Sequence, residues 1–333
     1  MQKKVVISGI RATGKLHLGN YLGVMRNFAN LSQDKTKKCY FFVANLHTIT
    51  TSINSQNIMH DLREIVLDYI SVGVDPERAV IFAQSSIPET SELMWILSCF
   101  TTVAELERMP HFKEKRGKLK EKEIVNSGLL MYPILMAADI LGPGADLVPV
   151  GEDQHPHIEL TRSLAKRFNN VFGKTFSMPE ILSSEAVRVP GLDGTAKMGK
   201  SDKNTIDLSD SPEVVLQKVS KSVTDIRRKR RADPGDPTCC NIYTMHTIMS
   251  MRDEIKYIYN NCRTAGIGCV DCKEILIQNI NNILSPIQQR RLELNEKGSE
   301  FVNEILYNGG IVARKKIATK VEEVKEKIGI PSY

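Results

Sequence analysis

The stretch VVISGIRATGKLHLGNYLGVM, residues 5–25, decides the fold of this 333-residue chain. Residues 5–8 form a short apolar run typical of a buried strand, and three glycines let the loop that follows turn tightly. The apolar side chains that then recur at steps of three, and so predict a helix, are Leu22, Met25, Phe28 and Leu31. A helix that begins after such a loop points its first amides toward the loop, where they can bind a phosphate group.

Further along the chain, strand-like runs alternate with helical patterns. The runs are CYFFVAN at residues 39–45, AVIFAQ at 79–84 and LVPV at 147–150, and a helical stripe at 58–69 separates the first two of them. Strands that alternate with helices predict an α/β fold with a doubly wound parallel sheet, a fold class that often binds nucleotides.

The second half of the chain has a different pattern. Ser211 precedes a proline, which predicts a helix cap followed by the first helical residue. From there the chain is mostly helical, and the last helix is predicted between Gly310 and Gly329. We place the domain boundary near Pro190, so that residues 1–189 form a Rossmann-like domain. Residues 190–333 then form a helical domain whose last helix can pack back on the first domain.

Composition narrows the class of protein. The chain is 41% hydrophobic and 25% charged, which is typical of a globular protein. Its most apolar stretch, residues 129–141, is too short to cross a bilayer, and its N-terminal apolar run is too short for a signal-peptide core. We therefore expect a cytoplasmic protein whose seven cysteines are reduced or bound to a metal. The net charge of +6 is a weak indication of a polyanionic partner.

Three features carry chemistry beyond the first loop. The segment AKMGKSDKN, residues 196–204, places two lysines three positions apart, which suits a polyphosphate, although a solvated basic loop has the same composition. Asp139 lies in the apolar run YPILMAADI, where an unpaired carboxylate is costly and needs a donor. His17 can donate to a ligand beside the first helix, or simply cap that helix.

Taken in order, these segments resemble those of bacterial-type tryptophanyl-tRNA synthetases, which are class I enzymes. HLGN at 17–20 resembles the HIGH signature of the class, and KMGKS at 197–201 resembles KMSKS with Gly199 in place of the middle serine. Further matching segments are HTITT (47–51), LERMPHFKEK (106–115), MAADI (136–140), GEDQ (151–154) and HIELTR (157–162). The resemblance covers essentially the whole chain. It implies a Rossmann-like class I catalytic domain, a helical domain that binds the anticodon arm of tRNA(Trp), and a homodimer.

The resemblance implies that the carboxylate of tryptophan attacks the α-phosphate of ATP, which carries Mg²⁺, before tryptophan is transferred to tRNA. This chemistry needs positioning and charge neutralisation rather than a protein nucleophile. The residues that match catalytic positions of the family are Arg11, His17, Lys197 and Lys200. Those that match ATP-binding positions are Arg11, Ala12, Thr13, Gly19, Asn20, Gly151, Glu152, Asp153, Val189, Lys197, Met198, Gly199, Lys200 and Ser201.

For tryptophan, the resemblance assigns the central role to Asp139. An indole N–H is only a donor, so one buried acceptor both binds it and rejects rings that lack it. Tyr132 and Gln154 are expected to contact the α-ammonium group, with His47 behind them. The predicted apolar walls are Met136, Ile140, Val148 and Val150, although ordinary core packing would explain such residues equally well.

A basic run lies in the helical half, where the family reads the anticodon arm. Its residues are Arg227, Arg228, Lys229, Arg230 and Arg231. Adjacent cations suit phosphate contacts, and a solvated helix face has the same composition.

Cys239, Cys262, Cys269 and Cys272 are spaced C-x22-C-x6-C-x2-C. Free buried thiols, a structural zinc ion and an iron–sulfur cluster are all compatible with cysteines grouped in this way. The spacing resembles that of a subgroup of the family that carries a 4Fe–4S cluster, which favours the cluster over zinc. Cys240 adjoins Cys239 and can take its place.

Two other functions share many of these features. The tyrosine-specific sister enzyme has the same fold and nucleotide motifs, but the MAADI context of Asp139 favours tryptophan. A catalytically silent or regulatory RNA- or nucleotide-binding paralogue need not keep His17 together with Lys197 and Lys200. The sequence does not separate a housekeeping synthetase from an auxiliary one.

Overall fold

The computed structural model describes residues 3–12, 14–50, 57–110, 112–114, 126–183, 187–194, 197–199 and 202–331. Three predicted site residues, Thr13, Lys200 and Ser201, lie outside these ranges. Among the described residues, no helix has the length and apolar character needed to cross a membrane.

A five-stranded sheet organises the first part of the fold. Its strands are β1 (Lys4–Ile10), β2 (Lys37–Val43), β3 (Val80–Ala83), β4 (Leu147–Val150) and β5 (Glu180–Ser183). The strand order is β3-β2-β1-β4-β5, and every neighbouring pair is parallel. This confirms the predicted doubly wound α/β fold. The direction of winding reverses between β1 and β4, and such folds bind ligands at this point, outside the carboxyl ends of the strands.

Helices connect and follow the strands. They are α1 (Leu18–Asn20), α2 (Arg26–Gln33), α3 (Asn45–Thr48), α4 (Ile58–Ser71), α5 (Pro88–Ser98), α6 (Val103–Glu107), α7 (Ser127–Leu141), α8 (His155–Phe172), α9 (Pro212–Ser220), α10 (Asn241–Met249), α11 (Arg252–Arg263), α12 (Cys269–Glu296) and α13 (Gly298–Ile328). A π-helical segment, Tyr21–Met25, joins α1 to α2, and shorter 3₁₀ turns span Gln84–Ser86, Glu152–Gln154 and Pro237–Cys239. The predicted cap is confirmed, because the Ser211 side chain accepts from the Val214 N–H at the start of α9.

The four predicted strands are all present, and β4 has the predicted ends, whereas β1, β2 and β3 begin and end at other residues than predicted. Strand β2 ends at Val43 and β3 ends at Ala83, so the polar residues Asn45 and Gln84 begin short helical turns instead. Strand β5 was not predicted. It spans only Glu180–Ser183, directly after a proline, and this is too short for a clear pattern of buried residues.

The last helix is longer than predicted, because Gly309 and Gly310 lie inside α13 rather than before it. A Cβ atom on Gly309 would lie 1.8 Å from the carbonyl oxygen of Ile81 in β3. The glycine therefore lets the helix backbone contact the backbone of the edge strand. Gly329 ends the helix with a positive φ of 78°, as a C-terminal glycine commonly does.

Contacts divide the chain into two compact units. The sheet unit contains residues 1–14, 27–184 and 297–333, and the helical unit contains residues 15–26 and 185–296. The loop and turn that precede α2 thus group with the helical unit, whereas α13 groups with the sheet.

Candidate functional site

Polar residues follow the carboxyl ends of three strands in the sheet unit, and the GEDQ segment follows the end of a fourth. Arg11 comes directly after β1, His47 lies in the short helix after β2, Gln84 follows β3, and GEDQ begins directly after β4. This is the edge of a doubly wound sheet at which ligands bind.

Asp139 lies on α7 and is buried, with only 5% of the residue exposed. The Gln84 Nε2 atom donates to both carboxylate oxygens, at 2.9 Å from Oδ1 and 2.8 Å from Oδ2. His47 Nε2 lies 2.9 Å from Oδ2, which is a hydrogen bond when that nitrogen carries the proton. A carboxylate offers roughly four acceptor positions, so these three contacts leave about one for a ligand N–H.

The orientation of Gln84 is fixed by the turn after β2. Its Oε1 atom accepts the backbone N–H groups of Leu46 at 3.1 Å and His47 at 3.3 Å, so its NH₂ group must face Asp139. Sequence reasoning missed Gln84, because the predicted strand AVIFAQ includes it as its last residue. The one signal that could have indicated it is that Gln84 is the first polar residue after the apolar run of that strand.

Burial and hydrogen bonding act in opposite directions on Asp139. Burial raises the pKa of its carboxyl group, whereas the hydrogen bonds from His47 and Gln84 lower it. These donors supply the partners that an ionised carboxylate in this apolar helix needs.

Tyr132, one turn of α7 before Met136, contacts a second histidine. Its hydroxyl oxygen lies 2.8 Å from Nε2 of His157, and their ring centroids are 5.3 Å apart. His157 is completely buried and was not predicted as a site residue, although it begins the HIELTR segment.

Burial raises the pKa of Tyr132 to about 12, while Arg11 acts in the opposite direction, so the phenol is neutral at physiological pH. Burial also lowers the pKa of Arg11.

The four predicted wall residues divide into two pairs. Ile140 and Val148 are fully buried members of the main core of the sheet unit. Met136 and Val150 are only half-buried and pack against that core, so they keep surface that a ligand can contact.

The GEDQ segment forms a 3₁₀ turn after β4. Glu152 and Asp153 are exposed, and the Gln154 side chain donates to Asp153 Oδ2 at 2.8 Å. Oδ1 of Asp153 lies 2.8 Å from the position that a Cβ on Gly151 would occupy, so the Asp153 carboxylate folds back over this glycine. Ala12, two residues after the end of β1, is buried.

In the helical unit, the two signature-like segments meet. The backbones of His17 and Asp207 pair as an isolated antiparallel β-bridge. Next to it, the backbone N–H of Leu18 donates to the carbonyl of Ile206 at 2.8 Å. A Cβ on Gly19 would lie 3.0 Å from the His17 ring and 3.4 Å from Cβ of Met198. Asn20 stabilises the turn by accepting the His17 N–H at 3.1 Å.

The lysine-containing segment has its own supports. The Met198 N–H donates to the carbonyl of Val189 at 2.9 Å, which brings together the two residues predicted to flank adenine. The Gly199 N–H donates to Oδ1 of Asn204 at 2.9 Å, a buried amide that sequence reasoning did not single out. Lys197 is exposed.

The basic run does not behave as five equivalent cations. Arg227 is paired with Asp225 at 3.1 Å and with Asp236 at 3.0 Å. Arg231 lies 3.3 Å from a carboxylate oxygen of Asp271. The hydrogen bond from Arg227 holds the pKa of Asp225 at about 2. Arg228 is half-buried, which leaves Lys229 and Arg230 as the exposed cations of the run that have no side-chain ion pair among the described residues.

Four cysteines line one cavity in the helical unit. They are Cys240, Cys262, Cys269 and Cys272, together with Arg228 and the apolar side chains of Ile242 and Ile267. Cys239, the predicted first ligand, is exposed instead, and its Sγ atom lies 2.6 Å from the Arg227 guanidinium group.

Three of the four cysteines predicted as ligands line the cavity, and Cys240 takes the place that was predicted for Cys239. A lining of four cysteines fits a group that is bound by thiolates. Burial raises the pKa of Cys272 to about 12, and the positive charge of Arg228 lowers it. His246 Nε2 lies 3.4 Å from Sγ of Cys272 and 3.1 Å from its carbonyl oxygen. Within the described ranges, no three His, Cys, Asp or Glu side chains lie close enough together to hold a single metal ion.

Comparisons with known proteins identify the family of this chain. A sequence profile of the family described as tRNA synthetases class I (W and Y) matches residues 2–285. The chain is 44% identical over 327 residues to the tryptophan–tRNA ligase of Deinococcus radiodurans, covering 97% of this chain and 98% of that protein. It is 38% identical to the tryptophan–tRNA ligase of Thermotoga maritima, covering 98% and 99%. The crystal structure of tryptophanyl-tRNA synthetase from Campylobacter jejuni complexed with ADP and tryptophan matches with a TM-score of 0.86 and 34% identity, covering 98% of this chain and 100% of that one.

Proposed function

We propose specific roles for the residues of this chain, which belongs to the class I tRNA synthetases for tryptophan and tyrosine and is a tryptophan–tRNA ligase. Its substrates are tryptophan, ATP and tRNA(Trp). The observation that carries the proposal is the buried Asp139 carboxylate, whose donors Gln84 and His47 are fixed by the ends of two strands.

In the proposed pocket, Asp139 accepts the indole N–H of tryptophan. Tyr132 and Gln154 lie on the side of the α-ammonium group, while Met136 and Val150 contact the ring. This arrangement selects tryptophan because a ring without the N–H would leave the buried carboxylate one partner short.

The amino-acid carboxylate is itself the nucleophile, so the protein needs only to position ATP and to neutralise charge. In the helical unit, we assign His17, Gly19 and Asn20 to the phosphates, Val189 and Met198 to the adenine, and Lys197 and Gly199 to the pyrophosphate. Lys200, Ser201 and Thr13 keep the phosphate roles predicted for them. In the sheet unit, we assign Arg11 and Ala12 to the phosphates, and Gly151, Glu152 and Asp153 to the ribose. Mg²⁺ would bind the phosphates and keep most of its waters.

One assay tests this proposal directly. ATP–pyrophosphate exchange is measured with each of the standard amino acids, followed by charging of a tRNA(Trp) transcript. We expect exchange with tryptophan, with tyrosine several orders of magnitude poorer. Exchange that prefers tyrosine, or charging without tryptophan-dependent exchange, would refute it.

The helical unit is the proposed binding site of the anticodon arm. Lys229 and Arg230 are its candidate phosphate contacts, because Arg227 and Arg231 are already paired with carboxylates. A double replacement of Lys229 and Arg230 by Gln should weaken tRNA binding and flatten its dependence on salt, leaving tryptophan activation unchanged. An unchanged salt dependence would exclude this surface.

We propose further that the chain is a cytoplasmic homodimer. The sheet unit exposes large apolar side chains on neighbouring helices, with Trp95 on α5 68% exposed and Val103 on α6 63% exposed. Light scattering after size-exclusion chromatography should give twice the mass of one chain, and a Trp95→Glu variant should give a monomer. A monomeric wild-type protein would refute this proposal.

The cysteine cavity is the proposed site of a 4Fe–4S cluster, which when bound would join the N-terminus of α12 to the last turn of α11 and to the segment before α10. Cys262, Cys269 and Cys272 would provide three ligands, and the fourth would be Cys240 or Cys239. The role of the cluster would be structural, since amino-acid activation transfers no electrons.

Anaerobic purification with iron and sulfide analysis tests this cluster. We expect about four irons per chain, lost in Cys272→Ser and retained in the control Cys99→Ser, because Cys99 lies in the sheet unit. Separate Cys239→Ser and Cys240→Ser variants identify the fourth ligand. Stoichiometric zinc in anaerobic material would overturn the proposal.

A further inference from the structure

We infer that Arg228 is a positioning residue that donates hydrogen bonds to the cysteine centre and neutralises its negative charge. This inference rests on the cluster proposed above. It also changes the interpretation of the basic run, because it removes Arg228 from the surface that would contact tRNA.

Arg228 is built into the wall of the cavity. Its Nη2 atom donates to two backbone carbonyls, those of Arg231 at 2.8 Å and Ile267 at 2.7 Å. Its Nη1 atom lies 3.8 Å from Sγ of Cys262, within hydrogen-bonding distance of a sulfur. The two carbonyl contacts fix the plane of the guanidinium group, so it cannot swing out to the surface without losing both.

The third nitrogen of this guanidinium group has no acceptor. Nε of Arg228 is buried, and no hydrogen-bond partner for it exists among the described residues. A buried N–H without an acceptor is uncommon in folded proteins and costs about 1–3 kcal/mol. An N–H in a cavity lined by four cysteines indicates that the missing acceptor is a sulfur atom of the group the cavity binds.

Among the described residues, no carboxylate forms an ion pair with Arg228. Its neighbours Arg227 and Arg231 each pair with aspartate, but Arg228 has no such partner in the part of the chain that the structure describes. A half-buried cation facing four cysteines is complementary to thiolates, and a cluster with four thiolate ligands carries net negative charge. The charge of Arg228 would then offset the cost of burying that centre.

Gly235 allows this approach. Its N–H donates to the carbonyl of Cys262 at 2.9 Å. A Cβ at this position would lie 2.7 Å from Sγ of Cys262 and 3.3 Å from Cδ of Arg228. The glycine thus keeps the arginine side chain and the cysteine next to each other.

The experiment compares full-length protein, purified and reconstituted without oxygen, as wild type, Arg228→Lys, Arg228→Gln and Arg230→Gln. Arg230→Gln is the matched control, because it removes one charge from an exposed position two residues away. The measurements are iron and sulfide per chain, the rate at which visible absorption is lost in air, and the reduction potential. Circular dichroism and thermal unfolding establish that each variant is folded.

We expect Arg228→Gln to retain iron roughly 10-fold less tightly than wild type, as replacement of residues behind metal ligands commonly does. Its reduction potential should fall, because the reduced centre carries more negative charge and loses a nearby cation. Arg228→Lys keeps the charge but not the Nε–H, so it should lie between wild type and Arg228→Gln. Arg230→Gln should match wild type in iron and sulfide content, in air stability and in reduction potential, the measurements that a tRNA contact does not affect.

The outcomes separate this inference from the cluster itself. If wild type binds the cluster and Arg228→Gln is identical to it in retention and potential, the role of Arg228 is wrong and the cluster stands. If wild type binds no iron, the cluster fails and the inference fails with it. If Arg228→Gln does not fold, the inference is tested by comparing Arg228→Lys with wild type. Equal results for these two proteins in every measurement would overturn the role of the guanidinium group.

Discussion

The side-chain amide nitrogen of Gln84 lies 2.9 Å from Oδ1 and 2.8 Å from Oδ2 of Asp139, and both residues are buried. This contact links the carboxyl end of β3 to the apolar helix α7. Because Gln84 Oε1 is occupied by two backbone N–H groups, the amide has one orientation, and the carboxylate is fixed before any ligand binds. Specificity for the indole N–H would then come from a preorganised acceptor rather than from a flexible side chain.

Gln84→Glu should make the protein sensitive to alkaline pH. One glutamate oxygen would accept the two backbone N–H groups, and the other would face Asp139 at the distance of a hydrogen bond. Two carboxylates this close share one proton, so the pKa of the pair rises above its value in the unfolded chain. A raised pKa contributes stability at low pH that is lost as the pH rises through it.

Urea unfolding at about pH 5 and about pH 8 tests this expectation. The free energy of unfolding of Gln84→Glu should fall by about 1–3 kcal/mol more than that of wild type between the two values. Gln84→Met is the control, since it removes the hydrogen bonds without adding a charge. Equal pH dependence in all three proteins would show that Gln84 does not face an ionisable Asp139.

Lys197→Ala should slow adenylate formation roughly 10- to 100-fold and change tryptophan affinity little. An exposed lysine in a glycine-containing loop can meet charge that develops only in the transition state. Stopped-flow measurement of adenylate formation gives the rate constant and ATP affinity separately. Lys203→Ala, in the same loop, should be close to wild type. A weakened ATP affinity with an unchanged rate constant would make Lys197 a ground-state binder.

Gly309→Ala should destabilise the sheet unit by about 1–3 kcal/mol, because the added Cβ would overlap the Ile81 carbonyl of β3. Gly310→Ala is the matched control. Its Cβ would lie 3.1 Å from the Ser86 hydroxyl, and alanine gains up to about 1 kcal/mol of helix propensity. Thermal unfolding should separate the two variants clearly. Equal melting temperatures would mean that α13 does not contact the edge strand through Gly309.

Asp225 should stabilise the helical unit in a pH-dependent way. The hydrogen bond from Arg227 holds its pKa at about 2, below the ordinary 3.8. The resulting stabilisation is complete above the ordinary pKa and is lost as the pH falls toward about 2. Unfolding of Asp225→Asn should therefore depend less on acid pH than unfolding of wild type. Parallel acid profiles for the two proteins would exclude the Asp225–Arg227 ion pair as a stabilising contact.

The sequence predicted the sheet well because buried parallel strands are continuous apolar runs bounded by polar or glycine residues. It located β4 at residues 147–150 without error, and it placed β1 to within two residues at its C-terminal end. Glycine residues were a less reliable guide to the ends of helices. Gly309 and Gly310 suggested a helix boundary, but they lie inside α13 because the close contact with β3 outweighs their poor helix propensity.

The candidate site was predictable only where a side chain has an energetic need that the sequence shows. Asp139 stood out because it lies in an apolar helix, but its partner Gln84 is 55 residues away and carries no signal that links the two. For the basic run, the sequence did not show which cations are paired in the fold. Five adjacent cations look equivalent in sequence, yet Asp225, Asp236 and Asp271 pair with two of them in the fold.

The most direct test of the account compares two amino-acid substrates in wild type and Asp139→Asn. The substrates are tryptophan and 3-benzothienylalanine, which has nearly the same shape but carries sulfur in place of the indole N–H. We expect wild type to prefer tryptophan by roughly 10-fold or more in kcat/KM for ATP–pyrophosphate exchange, the effect of one buried hydrogen bond to a charged group. In Asp139→Asn, with its fold verified by circular dichroism, this preference should fall toward one. The same preference in both proteins would contradict the assignment of Asp139 as the acceptor of the indole N–H.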